Sequence, residues 1–316
     1  MYRLRLYFSV CVFALMNNIS DAQDCIFDFR SPISHKTVLS GSYGEPRTKH
    51  FHAGIDFKQH RGVPRDTIFA IADGFISRIN VQPNGYGNAL YIDHNCNKTS
   101  VYAHLYDFAP NIRQYINRVL YKDKKYKITH HPDATRLPIK KGQFIGILGN
   151  TGRSSGAHLH FEIRNTSTET PINPALIGLK PTDNIPPNIV GIYIYELSPD
   201  NEEISKKYYP AYRGSSNQLT IAGGTVKTGA YRIGIGIRTY DMMNGAKNHN
   251  GIYSLEMMTD NKPSFAFKLD SIPFDHTQFI HTHMDYEEKE NKKYVTKCFL
   301  SPINPLAIYN LSLIHI

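Results

Sequence analysis

A chain of 316 residues, 41% apolar and 20% charged, has room for one large or two smaller folded units and is too apolar for a disordered segment. Its formal net charge of +9 suits a polyanionic partner such as nucleic acid, anionic lipid or an acidic polymer. No RNA-binding motif, zinc finger or basic helix is present, which argues against nucleic acid, and 21 Tyr, 16 Phe, 22 Gly and 18 Pro lean toward β structure with turns.

The N-terminus reads as a signal peptide. Arg3 and Arg5 precede an apolar run over residues 7–16, and Ser20-Asp21-Ala22 places small residues where a signal peptidase cuts, so residues 1–22 are expected to be removed on export. The run is too short to span a bilayer, and no other stretch is a membrane-span candidate. Cys11 would leave with it. Cys25, Cys96 and Cys298 remain without a CxxC pair, which argues against a cysteine zinc site. Asp24 before Cys25 does not resemble a lipobox, and in an oxidising compartment Cys25 and Cys96 could bridge.

After a lead-in over 23–40 and a turn-rich stretch at 41–47 comes His50-Phe51-His52-Ala53-Gly54-Ile55-Asp56-Phe57. In an extended segment His52 and Asp56 share one side while Phe51, Ile55 and Phe57 pack on the other, and Gly54 lets the backbone bend. Residues 67–79 read as two short strands about the turn Asp73-Gly74. The glycine-rich loop at 84–88 precedes strands at 89–94 and 99–105. Short strands with glycine punctuation argue for a compact β-barrel or sandwich. Ile112, Tyr115, Ile116 and Val119 share one face of an expected helix at 111–120.

Residues 121–137 are polar and read as an inserted loop or hairpin, with His130-His131 and the lysines at 122, 124, 125 and 127 at the surface. A turn, a strand and a second glycine turn over 140–152 lead into Gly156-Ala157-His158-Leu159-His160-Phe161-Glu162. Strand side chains alternate, so His158 and His160 point one way and Leu159 and Phe161 the other. Residues 181–187 read as a linker, followed by strands at 189–197, 231–240, 252–258 and 265–269 that suggest an immunoglobulin-like sandwich.

Catalytic zinc takes three protein ligands and leaves a position open for water, whose pKa it lowers to about 7. His52, Asp56 and one histidine of the 158/160 pair supply such a set, which in principle also suits iron, cobalt or manganese. The remaining histidine and His104 can move protons nearby. Glu162 shares the parity of the two histidines and reads as a flanking group. His50 reads as surface or groove lining, and Tyr86 as groove lining or a turn residue. His281-Thr282-His283 repeats the spacing without a companion His-x-x-x-Asp.

His52-x-x-x-Asp56, Tyr102-Ala103-His104-Leu105 and His158-Leu159-His160-Phe161-Glu162 resemble, in order, the three signature motifs of the lysostaphin/LytM-type zinc endopeptidases. Asp73-Gly74, Asn84-Gly85-Tyr86-Gly87, Lys141-Gly142-Gln143, Gly149-Asn150-Thr151-Gly152 and Ser155-Gly156 resemble that family's spacers. The resemblance implies His52, Asp56 and His160 as ligands of one Zn2+ per chain, His104 and His158 as the catalytic pair, and the peptide part of peptidoglycan as substrate. It implies a mainly β fold, an antiparallel β groove related to the barrel-sandwich hybrid. Such a unit would occupy 41–178 with an insert at about 108–139, ahead of a linker at 179–188 and a β-rich, immunoglobulin-like region at 189–316. Family members that only bind wall and regulate another hydrolase lose metal residues; all five polar positions are kept here.

Overall fold

The structure is a computed structural model that describes residues 27–310 except 61, 64, 214–217 and 222. The expected signal peptide, Cys25 and the last residues, 311–316, lie outside the described residues. The chain is mainly β. In order, β1 is Leu39–Gly41, β2 Ile55–Lys58, β3 Thr67–Phe69, β4 Gly74–Val81, β5 Ala89–His94, β6 Lys98–Ala103 and β7 Asp107–Phe108. Helix α1, Pro110–Asp123, is followed by β8 Ile128–His130, β9 Pro138–Ile139, β10 Phe144–Ile147, β11 His158–Asn165 and β12 Pro171–Ile172. The C-terminal strands are β13 Asn188–Leu197, β14 Glu203–Arg213, β15 Leu219–Ile221, β16 Ile233–Tyr240, β17 Ser254–Thr259 and β18 Lys262–Lys268. Short helices α2 Ile280–His283 and α3 Tyr286–Glu290 precede β19 Val295–Lys297 and β20 Tyr309–Asn310.

Among the described residues the strands form four sheets. The largest runs β1-β2-β11-β6-β5-β4-β8, with β12 beside β11 and β9 beside β4, and a second holds β3-β10-β7. The C-terminal strands form β15-β14-β13-β16-β19 and β17-β18-β20. Every ladder is antiparallel.

The Asp73-Gly74 turn does not close a hairpin. β3 pairs with β10, whereas β4 pairs with β5. The intervening Ala70, Ile71 and Ala72 are buried, and the Ala70 and Ile71 amides donate to Gln143 O and the Tyr102 hydroxyl. The chain therefore crosses between sheets there. The expected helix is present and longer at both ends: Pro110 opens it, where its missing N–H costs nothing, and Lys124 in the left-handed region closes it. Ile112 and Ile116 are its buried positions. His130 lies in β8 against β4, its ring bonded to the Tyr115 hydroxyl, and His131 is exposed.

β11 sits centrally, between β2 and β6. Its inward side chains, Leu159, Phe161 and Ile163, have no exposed surface. Phe161 packs edge-on against Phe57 and Tyr102, with ring centroids 5.9 and 5.3 Å apart. Phe161→Ala is expected to cost about 3–5 kcal/mol in denaturant unfolding, the usual range for emptying a buried aromatic site. A loss below about 1 kcal/mol would mean that this layer is not the core holding the histidine strand.

The C-terminal sheets share the same buried core. Ile192, Ile194, Ile235 and Ile237 face it from one sheet, Met257, Phe265 and Phe267 from the other. Tyr43 ties the two regions, its hydroxyl donating to Pro171 O and accepting the Ile272 amide. Cys96 is disulfide-bonded, and Cys298 is buried and free.

Candidate metal centre

Strand register brings the polar motifs together. In the β2–β11 ladder Asp56 lies directly opposite His160, and in the β6–β11 ladder His160 lies opposite Ala103. His104 is the next residue after that strand. Gly54 permits the approach, since a Cβ there would lie 2.2 Å from Phe161 O. His104 has φ of 61°, a left-handed conformation that redirects its side chain at the strand end. Such backbone is uncommon outside glycine and gathers at functional positions.

His52, Asp56 and His160 are all buried, and one ligand atom from each lies within 4.8 Å of the others. His52 Nε2 is 3.0 Å from His160 Nδ1 and 3.1 Å from Asp56 Oδ1, and His160 Nδ1 is 2.9 Å from that oxygen. His158 Nε2 stands 3.5 Å from Asp56 Oδ1. The His104 ring lies 4.9 Å from His158 and 5.8 Å from His160, centroid to centroid. All five positions singled out in the sequence thus share one cluster.

In each of the four histidines one ring nitrogen is already committed. His52 Nδ1–H donates to Ser42 O at 2.8 Å, His104 Nδ1–H to Thr151 O at 2.8 Å and His158 Nδ1–H to Gly156 O at 2.8 Å. A carbonyl only accepts, so each of these nitrogens carries the proton and Nε2 holds the lone pair. His160 is reversed: Nε2–H donates to Glu162 Oε1 at 2.8 Å and Nδ1 turns to the cluster.

The donor set fits a zinc-type cation: two imidazole nitrogens and one carboxylate oxygen, each imidazole oriented through its other nitrogen. Ligands at tetrahedral zinc lie roughly 3.4 Å apart, close to the 2.9–3.1 Å separations found here. Burial lowers the His158 pKa, and burial together with the charges of His160 and His158 pushes His104 down to about 4. Burial would also depress His160, but its hydrogen bonds to Asp56 and Glu162 prevail and push it up to about 9. A proton on His160 Nδ1 and a cation compete for the same position. Asp56 is held well below the usual carboxylate range, its burial outweighed by His52 and His160.

Among the neighbours of the cluster, Glu162 is the flanking group its parity predicts, whereas Arg47 and Arg164 belong to no motif. Glu162 is fully buried and accepts from Tyr86 OH at 2.5 Å and from Arg164 Nε at 2.7 Å, besides His160. Tyr86 therefore serves the carboxylate as well as facing the His160 ring. Burial would raise Glu162, yet Arg164 and His160 bring it down to about 2. Arg47 Nη2 donates to Asp56 Oδ2 at 2.8 Å. Parity alone points to Arg164, which follows His158, His160 and Glu162 on the same strand face; nothing comparable flags Arg47, which reaches Asp56 from a loop. His50 is exposed. The His281-Thr282-His283 pair falls on helix α2 and lies outside the cluster.

Residues 50–118 and 134–174 match peptidase family M23, and the chain carries a domain of that family. The interruption, 119–133, covers the end of α1 and the whole of β8. Over 132 residues the chain is 32% identical to the DD-carboxypeptidase/endopeptidase Mpg of Neisseria meningitidis serogroup B, covering 42% of this chain and 24% of that protein. It is 31% identical over 140 residues to the peptidoglycan DD-endopeptidase ShyC of Vibrio cholerae, covering 42% of this chain and 26% of that one. The chain thus spans about a quarter of the length of the curated relatives it matches. Among solved structures, the catalytic domain of lysostaphin from Staphylococcus simulans aligns at 24% identity over 45% of this chain and 92% of that one, with a TM-score of 0.32.

Proposed function

We propose that this chain is an exported zinc metalloendopeptidase that hydrolyses peptide cross-links of peptidoglycan. The observation that carries the reading is the convergence of His52 Nε2, Asp56 Oδ1 and His160 Nδ1 beside the His104 and His158 rings. His52, Asp56 and His160 would hold one Zn2+. When bound, zinc polarises a carbonyl oxygen and makes water a nucleophile at neutral pH.

The chain's own groups do the rest. With Nδ1–H fixed on Gly156 O, His158 has Nε2 as its basic nitrogen, 3.5 Å from Asp56 Oδ1, where it takes a proton from the attacking water. It returns that proton to the leaving amine. His104, its Nδ1–H held by Thr151 O, presents the Nε2 lone pair to the same space and orients the attacking water beside His158.

The domain match and the relatives named as endopeptidases support this reading, as does retention of all five polar positions, which an inactive regulator has no need to keep. The relatives' names favour a D,D link, and the net charge of +9 suits an acidic wall polymer. Export rests on residues 1–22, which place action in the periplasm, envelope or exterior. We assign catalysis to 41–178, a linker to 179–188 and an immunoglobulin-like sandwich to 189–316, where two antiparallel sheets share a core.

Zinc-replete protein should contain one zinc per chain by elemental analysis and clear a suspension of purified peptidoglycan. Chelation should stop clearing and added zinc restore it. A zinc content near zero, or clearing indifferent to chelation, would end the enzyme reading. Mass spectrometry of digested, defined cross-linked muropeptides should show the D,D link cut in preference to a glycyl link.

A further inference from the structure

Two arginines stand behind the three candidate ligands. Arg47 Nη2 reaches Asp56 Oδ2 at 2.8 Å and Glu45 Oε1 at 2.9 Å. The other oxygen of Asp56, Oδ1, is the one that faces His52 and His160. Gly41 closes over this pair so tightly that a Cβ would lie 2.5 Å from Arg47 Nη2 and 2.6 Å from Asp56 Oδ2. Arg164 grips Glu162 Oε2 through Nε at 2.7 Å and Nη2 at 2.6 Å, leaving Glu162 Oε1 to hold His160 Nε2–H. Each arginine thereby takes one carboxylate oxygen and leaves the other to the ligand cluster: Arg164 does so with two nitrogens on Glu162 Oε2, and Arg47 links Asp56 to Glu45 through Nη2 of its planar guanidinium.

Both arginines are backed by residues from the C-terminal half. Lys289 of α3, 8% exposed, donates from Nζ to Thr48 O at 2.6 Å, in the loop that carries Arg47. Gly251 packs against the same loop, where a Cβ would lie 2.8 Å from Glu45 Cα. The Arg164 guanidinium is covered by the Phe274 ring, with its carbon 4.6 Å from the centroid.

We propose that the C-terminal half braces the metal centre, with Arg47 and Arg164 as its positioning residues. The brace rests on the assignment of His52, Asp56 and His160 as zinc ligands. Groups that orient metal ligands typically contribute 10- to 100-fold in metal affinity.

The test uses the full chain. Zinc affinity is measured by competition with a chromophoric chelator, and the visible spectrum of the cobalt-loaded protein reports ligand geometry. Arg47→Ala and Arg164→Ala should each weaken zinc roughly 10- to 100-fold. The double variant Lys289→Met/Phe274→Ala, remote from the ligands, should weaken it about tenfold and shift the cobalt bands. Arg47→Lys keeps a charge in the loop and should still change the cobalt spectrum, which keeps the proposal testable if Arg47→Ala unfolds. Near-UV circular dichroism identifies variants that have kept the fold. Wild-type affinity and spectra in the folded Lys289→Met/Phe274→Ala and Arg47→Lys variants would overturn the brace while leaving the ligand assignment standing. A wild-type protein that takes up no zinc would overturn the ligand assignment and, with it, the brace.

Discussion

His160→Ala will leave a folded protein that neither retains zinc nor clears peptidoglycan. Of the three candidate ligands, His160 is the only one bonded to two carboxylates, Asp56 through Nδ1 and Glu162 through Nε2. Removing the imidazole deletes a ligand atom and also the link between the two acids. The loss of zinc affinity should exceed about a hundredfold, since that is the upper end of what a merely orienting partner contributes. The fold should survive, because each stranded carboxylate keeps its own arginine, Arg47 for Asp56 and Arg164 for Glu162. Elemental analysis and a turbidity assay, run beside the wild type, check both halves. Full clearing by the variant would remove His160 from the centre.

His158→Ala will behave differently on the same strand. Its zinc content should equal that of the wild type, while turnover falls by about 10^2–10^4, the usual contribution of a positioned acid–base group. The reason is geometric: His158 Nε2 is 3.5 Å from Asp56 Oδ1, outside the 2.9–3.1 Å contacts that join the three candidate ligands. His104→Ala should show the same division, full metal and a slow reaction. A His158→Ala protein without zinc would mean that the two histidines of the strand exchange roles.

The centre was legible in the sequence to the extent that it depends on alternation. Two-residue spacing puts His158 and His160 on one face and buries Leu159 and Phe161 on the other, which the structure repeats. Four-residue spacing likewise leaves His52 and Asp56 together. What alternation cannot supply is register between distant strands. Nothing local places Asp56 opposite His160, or aims Arg47 from its loop at Asp56 Oδ2. The Asp73-Gly74 turn failed as a hairpin signal because β3, on its N-terminal side, pairs with β10 in the second sheet while β4 pairs with β5 in the largest. Strand β14 escaped notice for the opposite reason: most of its residues are exposed, so it has no apolar alternation, and Pro210 interrupts it.

The separation of the ligands along the chain has a consequence for timing. Asp56 and His160 are 104 residues apart, and His52 and His160 are 108. Contacts between such distant segments come late and slowly in folding, after the loops between them have closed. A nascent or half-collapsed chain therefore keeps His52 and Asp56 near each other but lacks the third candidate ligand, His160. On the proposed zinc reading, a cation that binds only the finished form would, at a concentration a thousand times its dissociation constant, add about 4 kcal/mol to its stability.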